Sequence, residues 1–166
     1  MRGATPAYLS AMPSALSALS GVANATEPLP GLLTAGQPAP VNFEGLRTQG
    51  VKTVIDIRDP MEPRPFDEPA LVRKLGMTYL NVSVRQGALD DAVMDSVLAA
   101  IRQHDEQPLL LHCASANRVG GVLIPYFIMD KGMSEEDAVA AAMKVGLRGA
   151  DLLEWGLDYT RRKTGG

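Results

Sequence analysis

From residue 32 onward, short segments typical of β-strands alternate with segments typical of α-helices, and this alternation restricts the possible folds strongly. Strands are predicted over residues 32–35, 51–57, 77–84 and 108–112. The last of them is apolar up to His112, as in strands that a parallel sheet buries on both faces. Strands that alternate with helices form right-handed crossovers and a sheet covered on both sides. We therefore predict the α/β class: a three-layer α/β/α arrangement around a mostly parallel central sheet, with 32–35 as a short edge strand.

The predicted helices follow from apolar periodicity and from residues that end helices. They span residues 42–49, 67–75, 89–103, 118–130, 134 onward and 150–161. The segment 118–130 is apolar nearly all round, which predicts a central buried helix bent at Pro125. The carboxyl ends of the strands should meet at one edge of the sheet, where ligands bind in folds of this class.

The chain of 166 residues fits one domain. Its prolines are concentrated near the start, with six of the twelve before residue 41. This distribution predicts an irregular or helical N-terminal lead-in over residues 1–30 and an α/β domain over residues 31–166.

The first 25 residues also loosely resemble a signal peptide, because a moderately apolar stretch precedes Ala23-Asn24-Ala25. Pro13 and several serines interrupt that stretch, so we favour a short helix near residues 14–19. We expect a cytoplasmic protein, with a periplasmic location as the alternative if residues 1–25 act as a leader.

Charge and cysteine content exclude several classes of protein. The net charge is −3, with 16 basic and 19 acidic residues, which argues against a nucleic-acid partner. No apolar run approaches the roughly 20 residues of a membrane-spanning helix, so no membrane partner is expected. The single cysteine, Cys113, excludes an intramolecular disulfide and any zinc site built on several thiolates. We predict no metal and no cofactor.

The segment after His112 carries the strongest functional signal. A buried strand ends, a short loop begins at Cys113, and a buried helix starts near Arg118. The residues between are small, and we predict that they bind substrate: Ala114, Ser115, Ala116 and Asn117. Their backbone N–H groups can point inward and, with the helix N-terminus, form an anion cradle. Arg118 can close this cradle with a planar fork suited to two phosphate oxygens.

Cys113 has two interpretations. A free cysteine at the end of an apolar strand is commonly a core residue. However, Arg118 lies five residues later, and burying it beside a core thiol without an anion would be costly. We therefore interpret the pair as an anion-binding site in which the donors favour the thiolate, whereas His112 is expected to support the loop through hydrogen bonds of its ring.

These residues resemble a known family. His112-Cys113 and Arg118, preceded by Val54-Ile55-Asp56-Ile57-Arg58 and Gly36-Gln37-Pro38, resemble the bacterial protein-tyrosine-phosphatase-like proteins, which are relatives of the dual-specificity phosphatases. The resemblance runs from about residue 32 to residue 159. It implies an α/β/α phosphatase fold, a phosphate-binding loop and a phosphocysteine formed on Cys113. The implied partner is a phosphorylated protein or small molecule; the oligomeric state stays open.

The loop departs from the family pattern in three ways. Four residues, instead of the usual five, separate Cys113 from Arg118; Ala116 stands where glycine is usual; Val119 stands where Ser or Thr is usual. Four-residue spacing also occurs in single-domain rhodaneses, whose loop holds a persulfide. A rhodanese-like sulfurtransferase and a non-catalytic phosphate-binding module are therefore the alternatives to a phosphatase.

The general acid is not determined by the sequence. In the family, an aspartate on a neighbouring loop protonates the leaving group, and Asp90 is our first candidate, with Asp91 and Asp59 as alternatives. Asp90 and Asp91 can instead begin the helix over residues 89–103, where acids complement the helix dipole.

Two residues at a strand end are assigned further roles. Asp56 is expected to support the loop by hydrogen bonds, and Arg58 is a candidate contact for the anionic substrate.

Overall fold

The computed structural model describes residues 14–165. The elements, in chain order, are a 3₁₀ helix (Leu16–Leu19), β1 (Thr26–Leu29), β2 (Leu32–Ala35), α1 (Pro40–Thr48), β3 (Thr53–Asp56), α2 (Glu68–Lys74), β4 (Thr78–Asn81), α3 (Asp91–His104), β5 (Leu109–His112), α4 (Asn117–Pro125), a π-helical turn (Tyr126–Asp130), α5 (Glu135–Val145) and α6 (Ala150–Thr164). In this part of the chain, no helix combines the length and apolar character needed to cross a membrane.

The five strands form one sheet in the order β1-β2-β5-β3-β4. β1 is antiparallel to β2, and the other neighbours are parallel. The short strand β5 occupies the centre, which agrees with its wholly buried residues. The predicted α/β class with a mostly parallel sheet is confirmed.

The core has two layers, one on each face of the sheet. Leu109 and Leu111 of β5 pack into the layer formed with α3, α4, α5 and α6. Leu110, on the opposite face, packs into the layer formed with the 3₁₀ helix, α1 and α2. This alternation along one strand follows from the two-residue repeat of β-structure and produces the α/β/α arrangement.

The prediction that residues 32–35 form an edge strand is wrong. β2 is an inner strand, because Thr26–Leu29 pairs with it from outside through a hairpin. The sequence of β1 is Thr-Glu-Pro-Leu, and its proline hides the strand from pattern reasoning. The hairpin also means that the sheet begins within the segment expected to be a lead-in. At the other side, β4, which lies within the strand predicted over 77–84, is the second edge strand.

The helices begin and end close to the predicted positions. The bend expected at Pro125 is a change of helix type, since α4 ends at Pro125 and a π-helical turn follows. Residues 1–13, which include Pro13 and most of the possible leader, lie outside the described residues.

Candidate active site

Four strand ends lie in register at the carboxyl edge of the sheet. His112 of β5 pairs with Ala35 on one side and with Asp56 on the other, and Asp56 pairs in turn with Asn81. The segments that follow these residues therefore leave the sheet side by side. This alignment brings Gly36, Cys113 and the loop after Asp56 into one region, as the predicted topology required.

The loop after Cys113 turns its carbonyl groups away from the space that they surround. Each carbonyl from Cys113 to Ala116 accepts a hydrogen bond: from His112 Nδ1, Gln37 N, Asn24 Nδ2 and Gly120 N, at 3.2, 3.0, 2.8 and 3.0 Å respectively. Within residues 14–165, the N–H groups of Ala114, Ser115 and Ala116 donate to no protein atom. The loop thus presents free donors, together with the first N–H groups of α4, to a negatively charged group.

Two unusual backbone conformations shape this loop. Ala116, the residue before α4, has φ +70°, and Asn24, whose side chain holds the Ser115 carbonyl, has φ +54°. In the described part of the chain, these are the only residues other than glycine with positive φ. An L-residue in this conformation costs about 1–2 kcal/mol. Both strained positions therefore lie where the loop is formed or held.

Gly36 allows β2 to approach the loop. A Cβ at this position would lie 2.6 Å from the Ala114 carbonyl oxygen and 3.2 Å from Ser115 Cα. Because both neighbours are backbone atoms, they could not move aside without displacing the loop. The glycine of the Gly36-Gln37-Pro38 motif is thus required by this contact.

Arg118 lies beside the buried thiol. Cys113 is only 1% exposed, and it is close enough to Arg118 to raise the pKa of the guanidinium. The guanidinium also donates from Nη1 to Glu62 Oε2 at 2.6 Å, from Nη2 to Glu62 Oε1 at 2.9 Å, and from Nη1 to the Val84 carbonyl at 3.1 Å. Burial alone would lower the pKa of Arg118, but Glu62 and Cys113 outweigh this effect and raise it. A permanent positive charge is therefore held next to the sulfur.

Glu62 is the residue that sequence reasoning missed. Its carboxylate orients Arg118 and also accepts from the Asp59 N–H at 2.7 Å. The hydrogen bond from Arg118 lowers the pKa of Glu62 to about 2, so this carboxylate carries no proton at neutral pH. Its signal in the sequence is an acid four residues after the strand-end Arg58, but 56 residues separate it from Arg118.

A shallow pocket opens over Arg118. Its lining residues are Asp59, Met61, Glu62, Pro63, Arg85, Gln86 and Arg118. Asp59 Oδ2 lies 3.0 Å from Arg85 Nε and accepts from the Ser83 hydroxyl at 3.1 Å. Met61 is 91% exposed at the rim. The pocket thus combines two arginines, two carboxylates and an exposed apolar side chain.

Solved structures with similar folds are phosphatases by their descriptions. A DUF442 protein of Shewanella putrefaciens CN-32, assigned as a phosphatase, matches with TM-score 0.75 and 22% identity over 89% of this chain and 97% of that chain. A Cys-to-Ser variant of P. aeruginosa TpbA in complex with pTyr matches with TM-score 0.61 and 23% identity over 84% and 96% of the respective chains. The core catalytic domain of the PP-IP phosphatase SIW14 from S. cerevisiae, in complex with citrate, matches with TM-score 0.69 and 14% identity over 87% and 93%.

The chain has the fold of the protein-tyrosine-phosphatase-like proteins. No protein-family model matches the sequence, and comparison with curated proteins found no match.

Within this phosphatase-like fold, the three candidate acids lie in different places. Asp90 precedes α3 and its Oδ1 accepts from the Val93 N–H at 2.9 Å, which is the helix-capping arrangement considered as the alternative to catalysis. Asp91 pairs with Arg162. Neither of them lines the pocket over Arg118, whereas Asp59 does.

Arg58 does not face the pocket. It is only 6% exposed, and its Nη groups donate to the Gln37 side chain and to the Pro63 carbonyl. Its Nε lies 3.6 Å from Glu62 Oε1. The expectation that Arg58 contacts substrate therefore needs correction: the structure places this side chain behind Glu62, where it fixes the loop after β3.

Asn117 contributes to the loop through its backbone. Its side-chain oxygen accepts from the N–H groups of Arg148 and Gly149, at 2.7 and 3.0 Å. The side chain thus ties the start of α4 to the segment before α6. Its own N–H, at the first position of the helix, has no acceptor within the helix.

Three buried titratable groups lie next to the loop. The ligand atoms of Asp56, Glu68 and His112 are within 4.8 Å of one another, a spacing that could hold a metal ion. Each group nevertheless has protein partners: His112 Nε2 lies 2.6 Å from Glu68 Oε2, and Asp56 accepts from the Tyr79 hydroxyl at 2.7 Å and from the Arg58 N–H at 2.9 Å. The three residues thus form a hydrogen-bonded support for the strand ends.

His112 and Glu68 shift each other's pKa in opposite directions. Burial acts to lower the pKa of His112, but the hydrogen bond and charge of Glu68 raise it overall. Burial acts in the opposite direction on Glu68, and His112 more than offsets it, so the pKa of Glu68 is lowered. Each residue of the pair, which lies directly before Cys113 through His112, thus favours the charged form of the other.

Proposed function

We propose that this protein hydrolyses phosphate monoesters through a phosphocysteine formed on Cys113. The observation that carries the proposal is the loop from Cys113 to Arg118, in which free N–H groups and an oriented guanidinium surround a buried thiol. Fixed donors of this kind stabilise the equatorial oxygens of a transferring phosphoryl group.

The reaction has two steps. In the first, the Cys113 thiolate attacks phosphorus, an S–P bond forms, and the bond from phosphorus to the leaving oxygen breaks as that oxygen takes a proton. In the second, water attacks phosphorus, the S–P bond breaks, and the thiolate returns while the water gives up a proton. Inorganic phosphate and an alcohol are the products.

Asp59 is our candidate for the proton donor and acceptor. Its carboxylate lines the pocket, whereas Asp90 caps a helix. Glu62 lines the pocket as well, but its pKa of about 2 leaves it without a proton to donate. A general acid contributes typically 10²–10⁴-fold to the rate.

The test is phosphate release from an aryl phosphate by the wild type, Cys113→Ser and Arg118→Lys. Both variants are expected to lose most activity, because serine is a far weaker nucleophile and an ammonium cannot reproduce the planar fork. Arg47→Lys, at an exposed position on α1, is the control and should keep full activity. Thiocyanate formation from thiosulfate and cyanide, without phosphate release, would instead establish sulfur transfer. Inactivity in both assays, with phosphate still raising the melting temperature, would leave a binding module.

A further inference from the structure

The side chain of Gln37 connects two groups of residues that hold the loop. Its Nε2 donates to Glu68 Oε1 at 2.7 Å, and its Oε1 accepts from Arg58 Nη1 at 2.6 Å. Its backbone N–H donates to the Ala114 carbonyl at 3.0 Å. Gln37 directly follows Gly36 and is half-buried. Its side chain thus contacts both Glu68 and Arg58, and its backbone contacts the loop.

The first group of residues, Glu68 and His112, connects Gln37 to the proposed nucleophile. Glu68 Oε2, the oxygen that does not contact Gln37, lies 2.6 Å from His112 Nε2. The other ring nitrogen of His112 lies 3.2 Å from the Cys113 carbonyl oxygen. Both Glu68 and His112 are buried, so water does not compete for these contacts. Gln37 is thereby connected to the backbone of Cys113 through Glu68 and His112.

The second group of residues, Arg58 and Glu62, connects Gln37 to Arg118, the arginine proposed to bind the anion. Arg58 donates to Gln37 with one Nη and to the Pro63 carbonyl with the other, and its Nε lies 3.6 Å from Glu62 Oε1. Glu62 then holds both Nη groups of Arg118. The two groups reach opposite ends of the same loop, since Cys113 begins it and Arg118 follows its last residue. Together they form a continuous path of contacts that runs from Cys113 through Gln37 to Arg118.

A primary amide satisfies both neighbours of position 37, whereas a carboxylate or an ammonium does not. Arginine has no acceptor, so it requires an oxygen; an ionised glutamate has no donor, so it requires an N–H group. A carboxylate at this position would face Glu68 with like charge, and an ammonium would face Arg58 with like charge. Both atoms of the Gln37 amide are therefore needed: the oxygen accepts from Arg58 and the nitrogen donates to Glu68.

We infer that Gln37 is a positioning residue that helps to place the Cys113 nucleophile through the nitrogen of its amide and the Arg118 guanidinium through the oxygen. The inference rests on the proposed function in so far as these two residues are the nucleophile and the phosphate ligand. It assigns Gln37 no contact with substrate.

Two substitutions separate the two connections. Gln37→Glu keeps an acceptor for Arg58 and places a carboxylate against Glu68, whereas Gln37→Lys keeps a donor for Glu68 and places a cation against Arg58. Two measurements, made at one neutral pH, report on the two ends: the rate at which iodoacetamide alkylates Cys113, and the affinity for inorganic phosphate by calorimetry. The exposed Gln103 on α3 provides the matched controls Gln103→Glu and Gln103→Lys.

We expect opposite patterns in the two variants. Gln37→Glu should change the alkylation rate by about tenfold, because a hydrogen bond to a charged group is lost. Its affinity for phosphate should stay within about twofold of the wild-type value. Gln37→Lys should weaken phosphate binding by about tenfold and leave alkylation nearly unchanged. The controls should match the wild type in both measurements.

The inference is overturned if both Gln37 variants lower the melting temperature but leave alkylation and phosphate affinity at wild-type values, because Gln37 would then be structural only. It is equally overturned if the two variants change both measurements to the same extent. Neither measurement uses turnover, so a wild type that binds phosphate but hydrolyses no ester would refute the proposed function and leave the positioning role intact.

Discussion

The Glu62 carboxylate and the Arg118 guanidinium form a two-point pair, with Oε2 2.6 Å from Nη1 and Oε1 2.9 Å from Nη2. Parallel hydrogen bonds of this kind fix the plane of the guanidinium as well as its position. A further hydrogen bond, from Nη1 to the Val84 carbonyl at 3.1 Å, holds the same orientation. Glu62 thus has two effects at a site proposed to bind an anion. Its charge repels the anion, and its two hydrogen bonds hold the arginine in place.

The first prediction concerns this pair. Glu62→Gln should lower kcat for an aryl phosphate by about 10- to 100-fold, because small misplacements of a catalytic group reduce the rate by that order. KM should not rise, since removal of the carboxylate also removes a charge that repels the substrate. Steady-state kinetics measure both effects, with Glu44→Gln on the exposed face of α1 as the control. A raised KM with unchanged kcat would show that Glu62 serves only binding.

The second prediction distinguishes the candidate acids. Asp59→Asn should lower the rate by about 100-fold for phenyl phosphate, a poor leaving group, and much less for 2,4-dinitrophenyl phosphate, whose leaving oxygen needs no proton. Asp90→Asn is the matched control, since asparagine caps a helix as well as aspartate does. The assignment of Asp59 fails if the dependence on the leaving group appears in Asp90→Asn instead.

The third prediction concerns the strained position before α4. Ala116→Gly removes a positive-φ strain of about 1–2 kcal/mol and a buried methyl group worth about 0.8 kcal/mol. The free energy of unfolding should therefore stay unchanged or rise by up to about 1 kcal/mol, as measured by urea denaturation. Ala116→Val should destabilise the protein, because a Cβ at Gly146 would already approach the Ala116 methyl to 3.0 Å. A large loss of stability in Ala116→Gly would contradict this account.

The fourth prediction concerns Val119, a buried residue where the resemblance would place a hydroxyl. Without a donor to the sulfur, breakdown of the phosphocysteine should be slow, so the wild type should release a burst of one nitrophenolate per protein before the steady state. Val119→Thr is nearly isosteric and should raise the steady-state rate by up to about tenfold, the contribution of one hydrogen bond to a charged group. Stopped-flow kinetics check this, with Val139→Thr on α5 as the control. If wild type and Val119→Thr both lack a burst, the first step is limiting and Val119 has no such effect.

The fifth prediction concerns pH and stability. The net effect on His112 is a pKa above its ordinary value of 6.5, because Glu68 outweighs the opposing effect of burial. Such a group stabilises the fold fully below its unfolded pKa and loses that contribution as the pH rises through the folded pKa. The free energy of unfolding should therefore fall as the pH rises above about 6.5.

Urea denaturation over a pH series measures this decline in the wild type and in Glu68→Gln. In the variant, burial favours the neutral imidazole and is opposed only by the charge of Asp56 and the Cys113 carbonyl, so the decline should be smaller than in the wild type. Glu44→Gln should retain the wild-type decline. A wild type whose stability is constant from pH 6 to pH 10 would show that the pair is not charged.

Local patterns explain what the sequence could predict. Cys113 and Arg118 are found because an apolar strand, a small-residue loop and a buried helix follow one another within about a dozen residues. The helix-capping alternative for Asp90 is equally local, since its partner is the N–H three residues later. The mostly parallel sheet follows from the alternation of strands and helices over most of the chain.

The parts that were missed depend on contacts between distant segments. Glu62 meets Arg118 across 56 residues, and Glu68 meets His112 across 44 residues. Periodicity and spacing carry no signal for such pairs, so Glu62 and Glu68 could be seen only as acids in a loop and at a helix start. β1 was missed for a different reason: its four residues include Pro28, and its pairing with β2 is what makes it a strand.

The register of the strand ends has a consequence for divergence among relatives. The groups that would hold phosphate belong to a loop that is fixed by backbone contacts from β2 and by buried side chains. The rim of the pocket over Arg118 belongs instead to the loop around the nearly fully exposed Met61 and to the segment with Arg85 and Gln86. Substitutions at the rim alter what surrounds the ester without disturbing the cradle. Specificity can therefore drift by ordinary surface mutation, while any change of the cradle has to be compensated within the core.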